Sequence, residues 1–128
     1  MPINSVINKD LNVIIRTVKG ELTGVDMTSA FTESLSDSDF NKNMHVIWDL
    51  TEADISKVSA DQLIEIVMYI HDNIGDRGAD YKIIIVAPID IIIGKSRIFE
   101  GYGTDLPISI HILRELQDAY KLIKGKAD

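Results

Sequence analysis

Carboxylates are the first residues in this sequence whose types and spacing could do chemistry. Asp49, Glu52 and Asp54 follow the apolar run that predicts the third strand. An aspartate at the end of a parallel strand can accept a phosphoryl group when further carboxylates hold Mg²⁺ beside it. The region that would have to supply those partners offers only Gly20 and Glu21. We therefore interpret the cluster as a solvated acidic loop.

The other motifs argue against catalysis. The sequence lacks a phosphate-binding loop, a dinucleotide fingerprint and a nucleophile elbow. It also lacks cysteine, and no metal-ligand spacing occurs among its three histidines, His45, His71 and His111. We expect no metal, no cofactor and no catalytic residue. An enzyme would use Asp49, Asp54 or Arg97, and several of these side chains would have to converge in one cleft.

Two serines are candidates for phosphorylation. Ser56 and Ser59 lie in the loop before a predicted helix, where free backbone N–H groups and the helix dipole favour an added phosphoryl group. Ser59 also begins a Ser-x-x-Gln pattern with Gln62, which is typical of a capping box. Ser59 is therefore either the N-cap of this helix or a site of modification.

The helix predicted over about 91–101 carries the candidates for ligand or partner contact. Gly94 inside a helix costs up to about 1 kcal/mol relative to alanine, so another backbone or a ligand should approach it closely. Arg97 is either an anion or partner contact or half of a surface ion pair with Glu100 or Asp90. Apolar residues surround too much of this helix for one buried face, which favours a homodimer interface or an apolar pocket. The candidate contacts are Asp90, Gly94, Arg97, Phe99 and Tyr102.

Alternating strands and helices position these residues, in the order ββαβαβαβα. The strands are predicted at about 3–7, 11–19, 45–50, 83–87 and 108–112, and the helices at about 24–36, 60–73, 91–101 and 113–124. Thr23, Ser59 and Asp90 are the predicted N-caps of the first three helices. The alternation predicts an α/β fold with a mixed, mostly parallel sheet and an N-terminal β-hairpin. In such sheets ligands bind beyond the carboxyl ends of the strands, here near 49–54 and 87–90.

Composition and charge narrow the classes of partner. The chain has 128 residues and no linker, which predicts a single domain, 1–128. Its net charge of −7 argues against nucleic acid and anionic membrane surfaces as partners. The longest apolar stretch, 83–93, contains Pro88 and Asp90 and is too short to span a bilayer, so we expect no membrane insertion. No targeting segment is visible, and a cytoplasmic protein is the expectation.

The second half of the chain resembles a known family. Ala87-Pro88-Ile89-Asp90, followed by Gly94, by Arg97-Ile98-Phe99-Glu100 and by the helix at 115–119, is similar to the small bacterial SpoIIAA-like proteins of the STAS superfamily. Trp48-Asp49-Leu50-Thr51 resembles the "LDLS" strand of that superfamily. The order of elements is similar across nearly the whole chain. The resemblance implies a STAS-type α/β domain with a regulatory or binding role rather than an enzyme.

The resemblance also bears on the two serines. Phosphorylated STAS antagonists carry an Asp-Ser-Ser-Gly motif in the loop before the second helix, which falls here on Lys57-Val58-Ser59-Ala60. Val58 occupies the usual acceptor position and cannot be phosphorylated, which leaves Ser59.

Two functions follow from the residues and the resemblance together. The first is a non-catalytic STAS-like regulatory module that binds a protein partner and forms a homodimer through Ile92, Phe99 and Tyr102. The second is a carrier of a small apolar molecule or lipid, since the SpoIIAA-like group is similar to the CRAL-TRIO lipid-transfer fold. Its apolar pocket would lie near residues 88–102.

Overall fold

One five-stranded sheet organises the computed structural model of the protein, which describes residues 2–125. The strands lie side by side in their order along the chain. The first pair is an antiparallel hairpin, and the later pairs are parallel. The strands are β1 (Ile3–Asn8), β2 (Val13–Glu21), β3 (His45–Asp54), β4 (Lys82–Val86) and β5 (Ser109–Leu113). The predicted mixed, mostly parallel sheet with its N-terminal hairpin is confirmed.

The helices cover the two faces of the sheet unequally. They are α1 (Gly24–Leu35), α2 (Ala60–Asp72), α3 (Ile74–Arg77), α4 (Asp90–Tyr102) and α5 (Leu116–Ile123). Each crossover from β2 to β5 moves one strand in the same direction, and right-handed crossovers then place their helices on one face. That face, the helical face, carries α1, α2 and α4. The opposite face packs against α5.

Alternation along the strands divides the core accordingly. On β2, Ile14 and Val18 point to the helical face, whereas Val13 points toward α5. On β4, Ile83 and Ile85 join the larger cluster, and Ile84 and Val86 join the smaller one. Because side chains alternate along a strand, a single run of apolar residues supplies both cores.

Two helix starts follow their predicted caps. The Thr23 hydroxyl accepts a hydrogen bond from the Asp26 backbone N–H at 3.2 Å, and the Asp26 carboxylate accepts from the Thr23 N–H at 3.1 Å. Ser59 and Gln62 form the same reciprocal pair at 3.2 and 3.0 Å. Each capping box satisfies N–H groups that the first helical turn leaves free.

Three expectations about local structure were wrong. Asp90 does not cap α4, because Ile89 is the N-cap and the Asp90 carboxylate accepts from Arg114 Nη2 at 3.0 Å. The acidic cluster is not a loop, since β3 continues through Asp54 and pairs with the end of β2. The predicted order of elements also omits the short helix α3, which directly follows α2.

The expected close approach to Gly94 is not made within the described chain. A Cβ atom at this position would meet no atom within 4 Å, and Gly94 lies on the exposed side of α4. Gly78 is the opposite case. Its φ of 104° lies in the left-handed region, and its Cβ would stand 2.6 Å from the Asn43 backbone nitrogen.

A matched pair of glycine substitutions tests this difference. We expect Gly78→Ala to lower the free energy of unfolding by about 2 kcal/mol or more, because it combines a strained φ with an overlap. Gly94→Ala should raise it by about 0.5–1 kcal/mol, because alanine restricts the unfolded chain and fits the helix. Urea unfolding followed by circular dichroism measures both. Equal effects of the two variants would contradict this account of Gly78.

Candidate functional site

A cavity lies between the helical face of the sheet and helices α1, α2 and α4. Its volume is about 100 Å³. Apolar side chains from the sheet, the helices and the loop after β3 form most of its wall, among them Leu22, Phe31, Leu50, Val58, Leu63 and Phe99. The cavity lies over the face of the sheet, rather than beyond the carboxyl ends of its strands as the sequence led us to expect.

Helix α4 forms one wall of the cavity through Lys95, Ser96 and Phe99. The Lys95 ammonium donates to the carbonyl oxygens of Ile55 and Val58, at 2.7 Å each. This amine therefore ties α4 to the loop after β3, where the parallel strands end. Ser96 is 5% exposed and places a hydroxyl-bearing side chain in the wall.

Arg16 brings a positive charge into this apolar space. It lies on β2 between Ile14 and Val18, so its side chain points to the helical face. Arg16 is 3% exposed. Its Nη1 and Nη2 donate to the hydroxyls of Ser5 and Ser34, at 2.8 Å each. Its guanidinium carbon lies 5.2 Å from the centre of the Trp48 ring, within the range of a cation–π contact.

Arg77, in α3, is the second buried cation on the wall. It is 2% exposed, and its Nη2 donates to the Met44 carbonyl oxygen. Its guanidinium carbon lies 3.8 Å from the centre of the Tyr81 ring and 5.4 Å from that of Phe40. Arg77 thus lies near two aromatic rings and also contributes to the wall of the cavity.

Neither arginine is ion-paired within residues 2–125. Burial, reinforced by the charge of Arg77, lowers the pKa of Arg16 to about 10, although Glu33 opposes the shift. Burial likewise lowers the pKa of Arg77, opposed by Tyr81. An arginine with a pKa near 10 still carries its charge at neutral pH. The cavity therefore combines an apolar wall with uncompensated positive charge.

Between α1 and α2 the cavity adjoins a groove on the surface. Thr28 and Tyr69 border both the cavity and a surface groove along α1. The rings of Phe31 and Tyr69 meet edge to face with centroids 5.2 Å apart. The hydroxyls of Thr32 and Tyr69 share a hydrogen bond. These few contacts are what separates the cavity from the groove.

Sequence reasoning missed both arginines. Arg16 did leave a signal, because it interrupts the inward-facing series of Ile14 and Val18 on β2. A charged residue at an inward-facing position of a strand either ends the apolar pattern or is a functional group. Arg77 left none, since it lies in a short helix that only tertiary contacts hold.

The residues predicted on α4 are not brought together. Phe99 is 7% exposed and lines the cavity, and Tyr102 is 52% exposed on the outer side. Gly94 is also on the outer side. Arg97 Nη1 lies 3.5 Å from Glu100 Oε1, so it forms the surface ion pair that was one of its two interpretations. Asp90 pairs with Arg114 outside the cavity.

The two candidate serines lie on the surface of the loop before α2. Ser59 caps the helix, and the Ser56 N–H donates to the Asp54 carboxylate at 2.9 Å. Val58, at the position of the usual phosphoryl acceptor, is 3% exposed and turned into the cavity wall. Modification of Ser56 or Ser59 stays a prediction.

The groups considered for catalysis face different parts of the molecule. Asp49 lies in the same strand phase as Ile47, on the face toward α5, and its carboxylate accepts from Thr51. Arg97 lies on the outer side of α4, across the sheet from it. No group of three metal-ligating side chains forms within the described residues. None of the described helices is long and apolar enough to cross a membrane.

Comparison with known proteins identifies the fold. No protein-family model and no curated protein sequence matches this chain. A solved structure of an uncharacterized protein of the DUF3478 family from Shewanella loihica PV-4, with a SpoIIAA-like fold, is similar to it, with a TM-score of 0.56. The two are 16% identical, over 94% of this chain and 91% of that one. The expected SpoIIAA-like α/β fold is thereby confirmed.

A half-buried histidine, His45, lies at the amino edge of the sheet, near Lys82 and Arg77. The Lys82 backbone N–H donates to His45 Nδ1 at 3.0 Å, which requires an unprotonated nitrogen. Burial, then Lys82 and Arg77, lower the pKa of His45, and Asp80 opposes them. The unfolded state therefore binds this proton more readily than the folded state does.

We expect the free energy of unfolding to fall as the pH drops from about 8 through the ordinary histidine pKa of about 6.5. His45→Asn keeps a hydrogen-bond acceptor but cannot be protonated, so its stability should depend less on pH. Urea unfolding between about pH 8 and pH 5 compares the two. The variant retains part of the slope, because burial also lowers the pKa of His111. Parallel profiles for the two proteins would show that His45 contributes nothing.

Proposed function

We propose that the protein is a non-catalytic STAS-like module that binds a small apolar ligand in the cavity beneath α1, α2 and α4. The observation that carries this proposal is the cavity itself, whose wall is built almost wholly from apolar side chains. Apolar enclosures with a few convergent polar groups are the usual form of small-molecule sites. The cavity supports the carrier function considered from the sequence, although most of its wall lies outside residues 88–102.

The chemistry of the wall supports binding rather than catalysis. Among the described residues it contains no carboxylate and no imidazole. Its hydroxyls come from Thr28, Tyr69, Tyr81 and Ser96. The one amine among the described residues of the wall, Lys95, is engaged as a donor to the carbonyl oxygens of Ile55 and Val58. The arginines can hold a charge but cannot take up a proton at neutral pH. A site of this kind can bind and orient a molecule.

Its size limits the ligand. An engineered cavity of roughly 150 Å³ in another protein binds benzene. A cavity of about 100 Å³ thus takes a molecule of about that size or slightly smaller. A longer molecule would have to part α1 from α2, where Tyr69 and Thr32 form the boundary. Binding would then change the helical surface that a partner protein contacts, which joins the carrier and regulatory functions.

Benzene binding tests the proposal directly. The single tryptophan of the chain, Trp48, lines the cavity and reports on it. We expect benzene to shift the Trp48 indole signal in a ¹H–¹⁵N spectrum, with saturation in the millimolar range. Ser96→Leu should weaken this binding about tenfold or more, because the larger side chain occupies the space.

Ser29→Leu is the matched control, because Ser29 lies outside the cavity on the exposed side of α1. It should leave the affinity for benzene unchanged. Absence of any benzene-dependent shift in the folded wild-type protein would overturn the proposal. So would equal affinities of wild type and Ser96→Leu.

A homodimer through α4 is the second candidate, and exposed apolar residues favour it. Ile91, Gly94, Ile98 and Tyr102 recur at helical spacing along one outer stripe of α4. Ile91 is 61% and Ile98 39% exposed. The expected contacts Ile92 and Phe99 are 2% and 7% exposed, so they belong to the core rather than to a surface. A protein partner would meet the outer stripe instead.

Sedimentation velocity tests this second candidate. If the stripe joins two copies, Ile91→Glu should convert a dimer into a monomer, because a charge would be buried in the interface. Val25→Glu, on α1 at 73% exposure, introduces the same charge elsewhere and should leave the dimer intact. A wild-type monomer at about 100 µM protein would remove the homodimer from consideration.

A further inference from the structure

We infer that the ligand of the cavity is a small monocarboxylic acid, with its carboxylate at Arg16 and Arg77 and its hydrocarbon part against the apolar wall. This inference rests on the proposed function, since it assumes a ligand in the cavity. The observation that carries it is a pair of buried polar atoms. Arg16 Nε and Arg77 Nη1 have no hydrogen-bond partner, and both side chains line the cavity.

Unpartnered guanidinium nitrogens in a core are costly. Burying a charge is unfavourable unless a counter-charge or a full set of hydrogen bonds compensates it. The hydroxyls of Ser5 and Ser34 and the carbonyl of Met44 satisfy only part of each group. No carboxylate of the described chain completes them. A bound carboxylate would supply both the charge and the missing acceptors.

The two cations lie toward one end of the cavity. Arg77 precedes β4, at the amino ends of the parallel strands. Arg16 reaches Ser34, in the last turn of α1, and α1 runs back from the carboxyl end of β2 toward the same edge. Leu50, Ile55 and Val58 line the opposite end. The unsatisfied guanidinium groups therefore lie at one end, whereas at the other end the Lys95 ammonium is already bound to the carbonyl oxygens of Ile55 and Val58. This arrangement suits an amphiphilic molecule.

The details favour a carboxylate over a phosphate. Each guanidinium has one fully buried nitrogen without an acceptor, and a carboxylate has two oxygens that can accept hydrogen bonds. A phosphate dianion has more oxygens to satisfy and a larger hydration cost, and the rest of the wall offers mostly hydrocarbon. The volume of about 100 Å³ leaves room for roughly six heavy atoms. Butanoate has this size.

Butanoate and butanamide provide an isosteric test. They share a shape and differ in charge. We expect butanoate to bind the wild-type protein at least about tenfold more tightly, because hydrogen bonds to a charged group are about twice as strong as neutral ones. ¹H–¹⁵N titrations measure both affinities, and the Arg16 Nε–H signal should move with butanoate.

Arginine variants test whether Arg16 and Arg77 cause the preference for butanoate. Arg16→Met and Arg77→Met should each reduce the preference for butanoate over butanamide to about threefold or less. Replacing a buried, unpaired charge with an apolar side chain of similar length tends to preserve folding, and two separate variants guard against failure of one. Arg97→Met, at an exposed arginine of α4, is the control and should keep the wild-type preference.

The outcomes separate the inference from the proposed function. If benzene binds but butanoate binds no better than butanamide, the inference is wrong and the apolar site stands. If benzene, butanamide and butanoate all fail to bind, both are wrong. Tighter binding of inorganic phosphate than of butanoate at the Arg16 Nε–H signal would overturn the carboxylate. An unchanged preference in both arginine variants would overturn the assignment to this site.

Discussion

Placing two guanidinium groups inside an apolar core is the constraint around which this structure is arranged. A buried arginine is tolerated only where its N–H groups and its charge find partners. Arg16 donates to the hydroxyls of Ser5 on the edge strand and Ser34 on α1, and it makes a cation–π contact with Trp48 on β3. Arg77 donates to the Met44 carbonyl oxygen and makes cation–π contacts with the rings of Phe40 and Tyr81. Elements far apart in the chain thus meet at these two arginines. Their groups satisfy only part of the hydrogen-bonding capacity of each guanidinium.

The order of the strands determines where such a place can exist. Because every parallel crossover advances in the same direction, three helices must share one face of the sheet, and α5 covers the other. A single helix packs closely on strands, as Ala119 against Ile84 illustrates. Three helices over a twisted sheet must also pack against each other, and where they diverge space remains. The cavity and the arginines therefore belong to the more heavily covered face.

Local patterns in the sequence predict this fold well, but they predict the candidate site poorly. The capping boxes at Thr23 and Ser59 and the apolar strands depend on neighbours a few residues away, so the pattern suffices. The extension of β3 through Asp54 depends on pairing with β2. Its residues are mostly polar, so no apolar pattern predicts a strand there. Asp90 looked like a cap because its competing partner, Arg114, is distant in sequence. Arg77 reaches the cavity only through its tertiary surroundings.

The loop before α2 links the cavity to the surface. Ile55 and Val58 line the wall, the Lys95 ammonium binds their carbonyl oxygens, and Ser59 begins α2 one residue later. A ligand can shift this loop only to the extent that it binds one arrangement of the wall better than another. The buried position of Val58 makes such coupling direct, because its side chain lies in the cavity wall one residue before Ser59. The cavity wall and the exposed serines thus belong to one short segment, so a ligand that moves Val58 would also move Ser56 and Ser59 on the surface.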